Sequence, residues 1–163
     1  MRTMEAELVD NVADLARRAN DAARILATLP DGMRRDALLA AADSLVENGA
    51  EILQANKRDC DVARVQVDKG EMSPSLFARL ETSERGIQEM AARVRQVANL
   101  PDPIGRIITT TTVDDGLILE KVSCPLGVIG IVFESRPDVV PQVVSLTLRS
   151  GNAVLLKGGT EAS

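Results

Sequence analysis

Two short stretches, FESRPD at residues 133–138 and KGGTEAS at 157–163, gather the residue types that can meet an anionic ligand. Each follows a short apolar run, VIGIVF at 128–133 and AVLLK at 153–157. A chain leaving a strand for a helix presents unpaired N–H groups, and Gly158 and Gly159 let a ligand come close to the backbone. Lys157 adds a cation, and Glu161 can accept hydrogen bonds from sugar hydroxyls. The set suits a ligand carrying phosphate or ribose. Neither GxGxxG nor GxxxxGK[ST] occurs, however, and a lone Lys-Gly-Gly is more often a strand end and turn than a binding loop. Arg136 is open in the same way, since a guanidinium at a helix start can bind an anion or simply face water.

Both apolar runs are continuous rather than alternating, the pattern of parallel strands covered on both faces. Between them Val140, Val143, Val144 and Leu148 keep helical spacing, Pro137 or Pro141 can occupy the first turn, and Gly151-Asn152 supplies a stop. The unit reads as β-α-β, hence an α/β fold. Such crossovers are right-handed, and ligands gather beyond the carboxyl ends of the strands, where both candidate stretches fall.

Upstream the character changes: residues 1–100 hold 31 of the 43 charged side chains. Leu8, Val12, Leu15, Ala19, Ala23 and Leu26 predict a surface helix. A second is expected after Pro30, capped by Asp31 and running through Leu38, Ala41 and Leu45 to Gly49; a third runs through Ile52 and Leu53 toward Val62. A short helix over Ser73–Leu80 and another through Ile87, Met90, Ala91, Val94 and Val97, stopped before Pro101, complete a plain helical layer. After Pro101, β-branched runs flank Asp114-Asp115-Gly116, and Asp-Gly between such runs predicts a hairpin. Two readings of it stay open, an arm that pairs with another subunit and an ordinary surface hairpin.

Composition narrows the chemistry. The chain has no histidine, which excludes His-based general-base catalysis and His-ligated metal, and only Phe77 and Phe133 are aromatic, so the core must be aliphatic. A net charge of -5 argues against nucleic acid as partner. Cys60 and Cys124, far apart in sequence, read as reduced thiols in a cytoplasmic setting rather than a disulfide framework. The charged amino terminus is unlike a secretory signal, and no charge-free run approaches the roughly 20 residues that cross a bilayer.

PLGVIGIVFESRPDVV at 125–140 and LRSGNAVLLKGGTEAS at 148–163 closely resemble the gamma-glutamyl phosphate reductases, also called glutamate-5-semialdehyde dehydrogenases, of the aldehyde dehydrogenase superfamily. The resemblance extends through ILQANKRDC (52–60), RVRQVANLPDPIG (93–105) and GLILEKVSCPLG (116–127), nearly the whole chain. Generic aldehyde dehydrogenases share the Pro-Leu-Gly-Val-Ile-Gly start but usually continue Pro-Trp-Asn-Phe-Pro; FESRP marks the reductase branch.

The resemblance implies an organisation: residues 1–100 as the helical layer of a nucleotide-binding domain, 101–124 as a hairpin and possible oligomerisation arm, and 125–163 as the truncated start of a doubly wound, Rossmann-like parallel sheet. It implies NADPH-dependent reduction of gamma-glutamyl phosphate to glutamate-5-semialdehyde in proline biosynthesis, through a cysteine thioester. Phe133, Glu134 and Ser135 would lie along the cofactor. Lys157, with Gly158 and Gly159 and with Thr160 or Glu161, would hold the adenosine ribose and its phosphate. Arg136 falls about where the superfamily has its oxyanion-stabilising Asn, and would contact an oxyanion or a substrate anion. Asp138 departs from the Asn common after Arg-Pro. The family nucleophile would lie beyond residue 163, so neither Cys60 nor Cys124 matches it, and by itself the chain is expected to be inactive and marginally folded. A homo-oligomer and glutamate 5-kinase are the partners implied. The alternative is a non-catalytic module that binds nucleotide or mediates oligomerisation.

Overall fold

The computed structural model describes residues 2–159, with side chains from residue 11 onward. Five helices come first: α1 (Arg2–Leu26), α2 (Asp31–Glu47), α3 (Gly49–Asp68), α4 (Pro74–Leu80) and α5 (Glu84–Ala98). An antiparallel hairpin follows, β1 (Ile107–Asp114) with β2 (Leu117–Val122), then β3 (Val128–Val132), α6 (Val139–Arg149) and β4 (Ala153–Lys157). β3 and β4 pair in parallel, so the expected β-α-β unit is present and the fold is α/β.

The helical layer owes its compactness to small residues. Leu38 and Ala42 of α2 meet Ala91, Val94 and Ala98 of α5 in one fully buried cluster, with Leu148 of α6 against it. Alanines at the contact let the helix axes approach closely, which offsets the scarcity of aromatic side chains. A second cluster joins Cys60 and Ala63 of α3 to Met72 and to Leu80 of α4. Ser73 and Ser83 start α4 and α5, their hydroxyls accepting from the backbone N–H of Leu76 and Gly86, both at 3.2 Å. Such caps contribute about 1 kcal/mol each. Two expectations need correction. α3 continues past Val62 to Asp68, and Asp31 does not cap α2: Pro30 holds that position, and the Asp31 carboxylate instead accepts from Arg149.

That contact belongs to a buried network. Arg149, at the end of α6, also donates to the Leu100 carbonyl, while Arg34 of α2 donates to the Leu29 carbonyl at 2.6 Å and to both Asp102 oxygens at 2.7 Å. Both arginines are under 5% exposed. Together they tie the α1–α2 turn, the start of α2, the α5–β1 connection and the end of α6. Below Arg149 the chain turns through Gly151 at φ +71°, where a Cβ would lie 2.6 Å from Ile104 Cδ1. Only glycine suits that turn. Asn152 then accepts from the Gly127 N–H at 2.8 Å, joining the entrance of β4 to that of β3.

α1 packs across β3 and β4, and α6 also lies on β4, whose residues 153–156 are all half-buried. β3 is less covered than its continuous apolar pattern predicted, since Val132 is 75% exposed. The hairpin is barer still. Residues 105–122 are all exposed, and its base is fastened by Ser123, which donates to the Pro103 carbonyl at 2.6 Å and accepts from the Arg106 N–H at 2.9 Å.

Removing the Asp102 carboxylate leaves the buried Arg34 guanidinium only the Leu29 carbonyl and, 3.9 Å away, the Asp31 carboxylate, so Asp102→Ala is expected to lower unfolding free energy by about 3 kcal/mol. Urea unfolding followed by circular dichroism measures it. A loss within 1 kcal/mol would mean that the network does not hold the helical layer together.

Candidate nucleotide-binding site

Register brings the two candidate stretches together. Val132 of β3 stands opposite Lys157 of β4, and one further rung, from the Phe133 N–H to the Lys157 carbonyl at 3.1 Å, carries the pairing past the last residue of β3. FESRPD and Lys157-Gly158-Gly159 therefore leave the sheet side by side from its carboxyl edge. This is where a parallel sheet exposes its loops to a ligand.

Within the first loop the side chains diverge. Phe133 is half-buried and Glu134 exposed, while Ser135 is buried and adopts φ +42°. A non-glycine residue in that region carries about 1 kcal/mol or more of strain, which the surrounding packing must hold. The Val139 N–H donates to the Arg136 carbonyl at 3.1 Å and closes the turn into α6, with Pro141 in the first helical turn. Asp138 occupies the N-cap position without bonding the helix backbone through its side chain. Its carboxylate accepts from Arg136 at 3.1 Å and lies 3.8 Å from an Arg93 nitrogen of α5.

Lys157 points its charge into solvent, and among the described residues no carboxylate pairs with it. Gly158 and Gly159 continue from it half-buried, whereas Thr160 and Glu161 lie outside the described residues. The edge thus offers one uncommitted cation, two residues without side chains, an exposed carboxylate at Glu134 and a guanidinium at Arg136. That donor set fits a phosphorylated, ribose-bearing ligand such as a nicotinamide dinucleotide. It does not fit a metal, and no group of three or more metal-ligating side chains occurs among the described residues. Among the described residues no helix is long and apolar enough to cross a membrane.

Three features that shape the site are not evident in sequence. The Ser135 backbone conformation leaves no residue-type signal, and Asn152 reads only as a helix stop although it bonds both strand entrances. The contact between Arg93 and Asp138 joins residues 45 positions apart.

Neither cysteine is at this edge. Cys60 lies in the core between α3 and α4, its Sγ 3.8 Å from Asn56 Oδ1. Burial first, then the nearby carboxylates of Glu81, Asp59 and Asp61, push its thiol pKa up. Cys124 is exposed, immediately before Pro125.

Known proteins agree with this geometry. Gamma-glutamyl phosphate reductase from Natronomonas pharaonis is 48% identical over 145 residues, 89% of this chain and 33% of the relative. The enzyme of the same name from Synechococcus sp. strain JA-3-3Ab is 46% identical over 143 residues. In crystal structures, gamma-glutamyl phosphate reductase from Saccharomyces cerevisiae superimposes with a TM-score of 0.85 at 37% identity, covering 91% of this chain and 37% of that one. The Thermotoga maritima enzyme gives 0.84 at 35% identity. Over nearly its whole length the chain is similar to gamma-glutamyl phosphate reductases. It spans about a third of the length of those reductases. No protein-family model matches it.

The reductase reading of the two thiols has a direct check. With iodoacetamide at pH 8, Cys124 is expected to alkylate readily, while Cys60 stays unmodified in the native state because burial and three carboxylates oppose its thiolate. Peptide mass spectrometry reads the outcome; faster labelling of Cys60 would contradict its placement as a structural thiol.

Proposed function

We propose that the protein takes part in NADPH-dependent reduction of gamma-glutamyl phosphate to glutamate-5-semialdehyde and phosphate, a step of proline biosynthesis in the cytoplasm. The observation that carries this reading is the in-register meeting of FESRP and Lys-Gly-Gly at one sheet edge, within a segment 46–48% identical to enzymes named for that reaction. A bound NADPH would supply the hydride that reduces the acyl carbon after phosphate has left it.

The residues present have definable tasks in that chemistry. Lys157 would neutralise the 2′-phosphate or hold the ribose, with Gly158 and Gly159 letting the dinucleotide lie against the backbone; Thr160 and Glu161 would extend the same contact. Phe133, Glu134 and Ser135 would border the cofactor, Glu134 accepting from its hydroxyls and Ser135 fixing the loop. Arg136, held by Asp138, would face the substrate and stabilise negative charge that develops on the acyl oxygen. Neither Cys60 nor Cys124 serves as the nucleophile.

Assembly belongs to the same proposal. The hairpin exposes Ile107, Ile108, Val113, Ile118 and Leu119 on strands with unpaired edges, which favours an arm that pairs with a second copy. The same arm would serve a non-catalytic oligomerisation module, the second reading. A supplier of the labile acyl phosphate, a glutamate 5-kinase, is the partner that the substrate's chemistry calls for.

Lys157→Ala in the protein at its full natural length should raise the NADPH KM about tenfold or more while kcat stays within threefold, because one charge-assisted contact is lost from binding. An unchanged KM would remove Lys157 from the cofactor site.

A further inference from the structure

The FESRPD loop fixes its backbone locally and its guanidinium from a distance. Ser135 sits at φ +42° and the Arg136 carbonyl accepts from the Val139 N–H at 3.1 Å, so the turn into α6 is closed within the loop. The Arg136 side chain is half exposed, and among the described residues the Asp138 carboxylate is its only ion-pair partner.

Asp138 stands at the N-cap of α6 without acting as a cap. Its φ of -70° and ψ of -19° are already helical, unlike the extended geometry that aims a capping side chain at the first-turn N–H groups, and no such bond forms. The carboxylate turns toward α5 instead. One oxygen, Oδ2, lies 3.1 Å from an Arg136 nitrogen and 3.8 Å from an Arg93 nitrogen. Arg93 immediately precedes Val94, which is buried with Leu38, Ala42 and Ala91 where α2 meets α5. Its backbone therefore belongs to the packed helical layer and not to the loop. An arginine side chain has many rotamers, and an exposed two-member ion pair restrains neither member strongly. A third member seated on a core helix gives the pair a fixed end.

We propose that Arg93 is a positioning residue for Arg136, acting through Asp138: from α5 it anchors Oδ2, and Oδ2 directs the Arg136 guanidinium at the sheet edge. The consequence for turnover rests on the reductase reading, in which Arg136 stabilises negative charge that develops on the acyl oxygen. Such stabilisation depends on the direction of the donor as well as on its charge. Arg93 itself reaches no reacting atom, so a change there should move the chemical step and leave cofactor binding alone.

The experiment is a double-mutant cycle in the protein at its full natural length, read by steady-state kinetics with gamma-glutamyl phosphate and NADPH. Arg93→Met should lower kcat about threefold to fivefold with the NADPH KM unchanged, the size expected of one partly exposed ion pair. In an Asp138→Asn background the same change should lower kcat no further, because the residue through which Arg93 acts has lost its charge. Arg93→Lys should recover most of the loss, and salt at about 1 M, which screens exposed charges, should bring the Arg93→Met and unaltered proteins together. Arg85→Met removes a charge from α5 at the pair with Glu89, away from the loop, and should leave kcat unchanged. Equal kcat with and without Arg93→Met, or losses that add in the double variant, would overturn the positioning role. The Arg136 guanidinium resonance of 15N-labelled protein reads the contact apart from turnover, and Arg93→Met should shift it. A shift in a protein that fails to reduce gamma-glutamyl phosphate would keep the positioning contact and overturn the reductase reading; an unmoved resonance would overturn the contact.

Discussion

Two arginines buried in the angle between the helices and the β-α-β unit govern where everything else can sit. Taking a guanidinium out of water costs several kcal/mol unless its donors are met, so Arg34 and Arg149 tolerate only backbones that bring a carbonyl and a carboxylate to each. Arg149 reaches Leu100 and Asp31, and Arg34 reaches Leu29 and Asp102. These partners come from two short stretches, residues 29–31 and 100–102. Because one Arg34 nitrogen, Nε, stays buried without a partner, the network is better understood as specifying an arrangement than as supplying surplus stability. Fixing the end of α6 fixes Gly151 and Asn152, and through them the entry of β4 beside β3.

From that point the site follows by geometry. Five in-register pairs run from Val128–Ala153 to Val132–Lys157, so the two strands end level. Two loops of opposite character then emerge together, one carrying carboxylate and guanidinium, the other a free ammonium and paired glycines. The α6 helix, short and begun by Asp138, sets how far the first loop can travel before turning back. A buried Ser135 in a left-handed conformation shows that this travel is tight.

Much of this was legible in sequence because it is local. Continuous apolar runs gave β3 and β4, Asp-Gly gave the hairpin turn, and the three-and-four spacing gave five of the helices in outline. The grouping of FESRP with Lys-Gly-Gly followed from the rule that parallel strands end at a common edge. What stayed hidden depends on distance in the chain. Arg34 and Arg149 look like two more surface charges until the residues 68 and 118 positions away are placed beside them. Asp31 departs from the usual pattern for the same reason, since a carboxylate at a helix start commonly caps it and here a remote guanidinium takes it instead. The contact between α5 and Asp138 had no sequence signal, because Arg93 is remote in the chain from the loop it faces.

The central claim is that the carboxyl edge of β3 and β4 receives a nicotinamide dinucleotide. A titration of 15N-labelled protein with NADPH, followed by amide chemical shifts, tests it most directly. The account predicts saturable shifts concentrated at residues 133–136 and 157–159, with the hairpin at 107–122 unaffected. Shifts centred on the helices α2 to α4, or no saturable change at the strand ends, would contradict it.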